Sequence, residues 1–108
     1  MIAYELVVEA TLSALGEEPD MPGDALSISV CRYRLIRTLS GRFDREEILV
    51  GLSYEDRLSP CLHLGERYLL GLNRRFPDHA TLLNAFGDPA DRGGIYYCAL
   101  SIALDLSD

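Results

Sequence analysis

The chain has 108 residues, of which 48% are hydrophobic, and a net charge of −7. That length fits a single domain spanning 1–108, and that apolar fraction supplies a packed core without metals or disulfides, which excludes a disordered chain. Its ten basic residues, all arginine, are outnumbered by 17 acids, which argues against nonspecific binding to nucleic acid or to an anionic membrane.

The first predicted element runs from Tyr4 to Leu15. Tyr4, Leu6, Val8, Ala10, Leu12 and Ala14 fill its even positions, and Glu5, Glu9, Thr11 and Ser13 fall on odd ones. This period of two predicts an antiparallel strand with one buried face. Pro19, Pro22 and Gly23 then stand among Glu17, Glu18, Asp20 and Asp24, the composition of a solvated loop.

The second element, Leu26 to Leu39, changes phase. Leu26, Ile28 and Val30 are apolar on even positions, then Cys31, Tyr33 and Leu35 on odd ones. Such a slip predicts a bulge or a sharp coil, because one extra residue turns every later side chain over. Ser40-Gly41 ends the run. A third strand is predicted over Glu47 to Leu52, with Ile48, Val50 and Leu52 in phase. Ser53 to Leu64 is irregular and contains Pro60. A fourth strand, Glu66 to Leu72, places Tyr68, Leu70 and Leu72 on one side.

Pro77 to Phe86 breaks the alternation. Pro77-Asp78 suits a helix start, Leu82, Leu83 and Phe86 recur at helical spacing, and Gly87 suits a stop, so a short helix is predicted there. The last strand, Ile95 to Leu106, puts Tyr96, Cys98, Leu100, Ile102, Leu104 and Leu106 on one face. Five strands, one of them bent, with one short helix predict an all-β fold: a five-stranded OB-like Greek-key barrel, closed or partly closed, since closure removes the edges that invite aggregation. The alternative, an immunoglobulin-like sandwich, needs about seven strands.

Four fragments taken in order, "LVVEATL", "YRLIRTLSG", "ILVGL" and "LGERYLLGL", resemble the netrin-like domains of tissue inhibitors of metalloproteinases and their bacterial relatives. There a "VV.A.V" strand is followed by "Y.V..VLKG" and a late "GERYLLFL". The resemblance covers Leu6 to Leu72. It implies an OB-like barrel with its helix between the third and fourth strands, whereas the helical spacing here falls after the fourth. It does not imply protease inhibition. Those inhibitors grip a catalytic zinc with an N-terminal cysteine, and this chain begins Met1-Ile2-Ala3 without the family's disulfide pattern.

No apolar run approaches the roughly 20 residues of a membrane-spanning helix. No signal-peptide pattern opens the chain, so a cytoplasmic protein is expected, with a secreted protein that has lost its leader as the alternative. Cys31, Cys61 and Cys98 are odd in number and widely spaced, as expected of three buried thiols, with one bridge plus one free thiol as the alternative.

Cys61 and His63, with His79 far away, make neither a zinc site of three or four ligands nor a nucleophile and base. Glu17-Glu18, Glu46-Glu47 and Glu55-Asp56 fall in predicted loops or at strand ends, as solvated charge does. The chain has no lysine and no phosphate-binding glycine loop. No enzyme, cofactor or metal is therefore expected.

What stands out is an arginine-bearing strand. Arg32, Arg34 and Arg37 flank Tyr33, and Arg67, Arg74 and Arg75 are positioned to extend the face. Arginine and tyrosine are favoured at protein interfaces. Val7, Leu15 and Leu69 add apolar residues on faces assigned to solvent. The expected function is a non-enzymatic interaction module that binds a protein partner or a second copy of itself. Single-stranded nucleic acid or an oligosaccharide held on the barrel face is the alternative.

Overall fold

Alternation along the chain becomes a ring of strands in the computed structural model, which describes residues 4–16, 27–53, 62–76, 81–83, 86 and 94–104. The strands are β1 (Leu6–Ala14), β2 (Ser27–Ser40), β3 (Glu47–Ser53), β4 (Arg67–Asn73), β5 (Thr81–Leu83) and β6 (Ile95–Ala103). Five of them follow the order β1-β4-β6-β3-β2, and β2 returns to pair with β1 and closes the barrel. Every pairing in the ring is antiparallel except β3 with β6, which is parallel. This is an OB-like Greek-key barrel, as the alternation predicts.

The even positions of β1 and β4 point inward because each is apolar, and burying them removes that surface from water. Leu6, Val8, Ala10, Leu12, Tyr33, Ile48, Val50, Leu52, Tyr68, Leu70 and Leu72 fill the interior together with Cys31, Tyr96 and Cys98. Tyr33 and Tyr68 meet edge to face at the centre, with ring centroids 6.1 Å apart and planes at 88°, the geometry that aromatic quadrupoles favour.

The phase change in β2 is not a bulge at that point. Its register with β3 runs unbroken from Ile28 to Arg34. Both faces of β2 are buried there: Cys31 and Tyr33 face the barrel interior, while Ile28 and Val30 face a second cluster with Phe76, Leu82 and Ile95. Gly51 of β3 makes room for that cluster. A Cβ there would stand 2.7 Å from Ile28 Cγ2 and 3.0 Å from Phe76 Cε1. The bulges lie farther along, in the ladder between β2 and β1, where Ile36 and Leu39 are the inserted residues.

Three further expectations are corrected. Thr81–Leu83 form a short strand parallel to Ser27–Ser29 of β2 rather than part of a helix. Leu82 serves the second cluster while its neighbours Thr81 and Leu83 do not, so one inward residue flanked by two outward ones selects the extended form. The rest of the expected helix, residues 77–80 and 84–85, lies outside the described residues, as does most of the irregular stretch after β3.

In β6 the expected alternation breaks at Ala99. Leu72 pairs with Cys98 and Gly71 with Leu100, so Ala99 is an extra residue and the phase inverts beyond it. Ser101 and Ala103 then stand opposite the inward Leu70 and Tyr68, and Ile102 is 44% exposed. Leu106 lies outside the described residues. Tyr4, expected inside, is half-buried over the outer face of β4. Its Cδ1 lies 2.9 Å from where a Cβ on Gly71 would be, so the glycine lets the ring cover the strand.

Candidate functional site

The seven residues singled out in the sequence separate into four places. Tyr33 is fully buried in the barrel, so its ring is not available to a ligand on the surface. Alternation put it on the same strand as the arginines but on the opposite face.

Arg32 is held against β3. Its Nε lies 3.1 Å from Glu47 Oε2, and its guanidinium carbon sits 5.2 Å from the centroid of the Phe86 ring, within cation–π range. Arg74 and Arg75 follow the far end of β4, about 20 Å along the strand from Arg67 at a rise of about 3.3 Å per residue. Arg74 donates from Nη2 to the Tyr96 hydroxyl at 3.2 Å and lies over the same ring. That hydrogen bond, followed by the Tyr96 charge, raises its pKa above the ordinary guanidinium value. Arg75 lines a shallow cleft of about 400 Å³ with Glu5, Asn73, Phe76 and Tyr97.

The remaining three come together. Register places Thr11 of β1 between Arg34 of β2 and Arg67 of β4, and Glu9 between Arg37 and Leu69. All six are on the outer face of the barrel. Glu9 is the hub: Arg37 Nη2 lies 3.7 Å from its Oε1 and Arg67 Nη1 lies 3.8 Å from its Oε2. Its side chain is only 13% exposed, while both arginines remain more open to solvent. Arg34 forms no ion pair among the described residues and is exposed.

Apolar side chains surround this charged row. Ile36 and Leu39, the two residues bulged out of β2, are 43% and 49% exposed. Ile102 of β6 lies beside Leu69 across the next ladder. Val7 and Leu69, expected on the solvent side, are half-buried there, and Leu15 is exposed at the end of the first strand. Bulges re-aim side chains: Leu35 stands opposite the inward Ala10, and with Ile36 inserted Arg37 stands opposite the outward Glu9, where unbroken alternation would have turned it inward.

The sequence reading missed Glu9, Ile36, Leu39 and Ile102. The signal for the first is a lone acid in the middle of a strand whose neighbours carry arginine. Adjacent apolar residues at Leu35-Ile36 are the trace of the bulge. Ile102 left no signal, because one inserted alanine inverts the phase without changing the composition.

The other candidate groups are placed as follows. His63 is exposed, and its backbone N–H donates to the Tyr68 hydroxyl at 2.9 Å. Cys61, His79, Glu17-Glu18 and Glu55-Asp56 lie outside the described residues. Glu46 and Glu47 are exposed. Cys31 and Cys98 are buried; Gly16 N–H donates to the Cys31 sulfur at 3.3 Å, and the Cys98 thiol donates to the Leu100 carbonyl at 3.2 Å. No helix among the described residues is long and apolar enough to cross a membrane.

Comparison with protein-family models, curated proteins and solved structures finds no match. The functional argument therefore rests on the outer face itself.

Proposed function

We propose that the chain is a non-enzymatic interaction module that binds a protein partner on the outer face of β2, β1 and β4. One observation carries this: Arg34, Arg37 and Arg67 converge around Glu9 on a surface fringed by Ile36, Leu39, Leu69 and Ile102. Arginines beside aliphatic anchors are the residue chemistry of interface hot spots. The burial of Tyr33 takes from this face the ring that base stacking would use, which favours a protein over single-stranded nucleic acid. The similarity to netrin-like domains enters this reading only through the barrel it implies.

The test is to pan a random-peptide phage library on the immobilised full chain and to counter-screen on the variant R34Q/R37Q/R67Q. The expected result is a set of clones that bind the parent protein and not the variant. Recovery of no clones above background, or of clones that bind both equally, overturns the reading.

A further inference from the structure

We infer that the partner offers an acidic segment, with Asp or Glu side chains interleaved with aliphatic ones, to the arginine face. The inference rests on the binding role proposed above and adds the chemistry of what is bound.

Charge is the first argument. The chain carries −7 overall, yet this face is locally inverted. Arg34, Arg37 and Arg67 have one carboxylate, Glu9, among them as an ion-pair partner, while Arg32 is matched by Glu47, so on this face three guanidiniums share a single contacting carboxylate. Glu66, next to Arg67 in sequence, keeps its charge, but it is exposed and is directed to the Tyr68 hydroxyl at 3.5 Å, and among the described residues it forms no ion pair with the arginines. An anionic partner is drawn to that patch and repelled by the rest of the surface, and this contrast fixes where it lands.

Geometry is the second. Glu9 is nearly covered, whereas Arg37 and Arg67 are more open, so the outer N–H groups of both arginines stay accessible to a ligand. Each guanidinium has five donors and is suited to bidentate pairing with a carboxylate. At 3.7 and 3.8 Å the contacts with Glu9 are loose, so the donors are not consumed by it.

Topology is the third. β1 is paired on one edge by β2 and on the other by β4, and β4 is paired by β1 and β6. Beyond Leu35, β2 pairs with β1 alone among the described residues, but on β1 and β4, which carry Glu9 and Arg67, no ladder edge is open, so a bound segment cannot add as another strand there. Recognition is left to side chains: carboxylates for Arg34, Arg37 and Arg67, and aliphatic groups for Ile36, Leu69 and Ile102. A second copy of the chain docked face to face would set arginine against arginine, which disfavours that occupant.

The experiment uses the clones from the panning described above. Sequences that depend on the arginine face are expected to be enriched in Asp and Glu over the unselected library. The tightest binder, made as a synthetic peptide, is compared with a counterpart in which every Asp and Glu is replaced by Asn or Gln. The neutral peptide, the R34Q/R37Q/R67Q protein and high salt are each expected to weaken binding about tenfold, from three exposed pairs of about 0.5 kcal/mol each. Glu9→Gln is expected to tighten binding several-fold, because it removes the competing carboxylate and keeps a hydrogen-bonding side chain. A merely structural role for the arginines would not produce that gain.

Face-dependent clones without acidic enrichment, or a neutral peptide that binds as well, overturn this inference and leave the binding role standing. Clones indifferent to the arginine substitutions overturn both.

Discussion

Replacing Gly51 by alanine probes the second apolar cluster, the feature that accounts for the double-sided burial of β2. A glycine in a strand interior is normally improved by alanine by roughly 0.5–1 kcal/mol, through reduced chain entropy. Here the added Cβ would meet Ile28 Cγ2 at 2.7 Å and Phe76 Cε1 at 3.0 Å. Ile28 is completely buried and cannot withdraw, whereas Phe76 is 7% exposed and can shift outward. Overpacking of this kind costs about 1–3 kcal/mol. The steric term outweighs the entropic gain, and Gly51→Ala is expected to destabilise the domain by about 1–2 kcal/mol. Phe76→Ala opens space on the same spot and loses about 2–4 kcal/mol by itself, somewhat less than in a core enclosed on all sides. In that background the Gly51→Ala cost should fall by about 0.5–1 kcal/mol, because one of the two conflicts has gone. Urea unfolding followed by circular dichroism reads all four corners of the cycle. A Gly51→Ala protein as stable as its parent, or additive single and double variants, would refute the seating of Phe76 over Gly51.

Tyr68→Phe removes the hydroxyl that accepts the His63 N–H and is expected to cost about 1 kcal/mol in urea unfolding. Ile102→Ser should change stability by less than about 0.5 kcal/mol, whereas Leu70→Ala should lose about 2–5 kcal/mol; a large loss at Ile102 would place it inside and contradict the inversion at Ala99. Cys31 and Cys98 are shielded by the barrel, so a thiol reagent should modify at most one of the three cysteines rapidly in native protein and all three in denaturant.

The barrel was legible because the inward positions of β1, β3 and β4 are apolar without interruption, and a period of two then maps directly onto the interior. β2 misled at Ile28 and Val30, where the outer face is also covered, by Phe76 and Leu82, so an apolar residue no longer marks the interior. β6 misled beyond Ala99 because a bulge inverts the phase without leaving a glycine or proline to mark it. Thr81–Leu83 were read as helix because Leu82, Leu83 and Phe86 fit helical spacing; pairing with Ser27–Ser29, far away in sequence, decides their conformation. For the face itself, Arg34, Arg37 and Arg67 were visible as arginines on predicted strands. Their meeting at Glu9 was not, because it depends on β1 lying between β2 and β4, a neighbour relation that local pattern does not encode.

The account depends on ligand contact at the outer face of β2, β1 and β4. Amide and side-chain NMR of the labelled chain, titrated with the tightest face-dependent peptide, tests it most directly. The account predicts shifts concentrated at Glu9, Thr11, Arg34, Ile36, Arg37, Arg67, Leu69 and Ile102. Shifts concentrated instead in the loop from Gly41 to Asp44, or around Arg75, Phe76 and Tyr97, would contradict it.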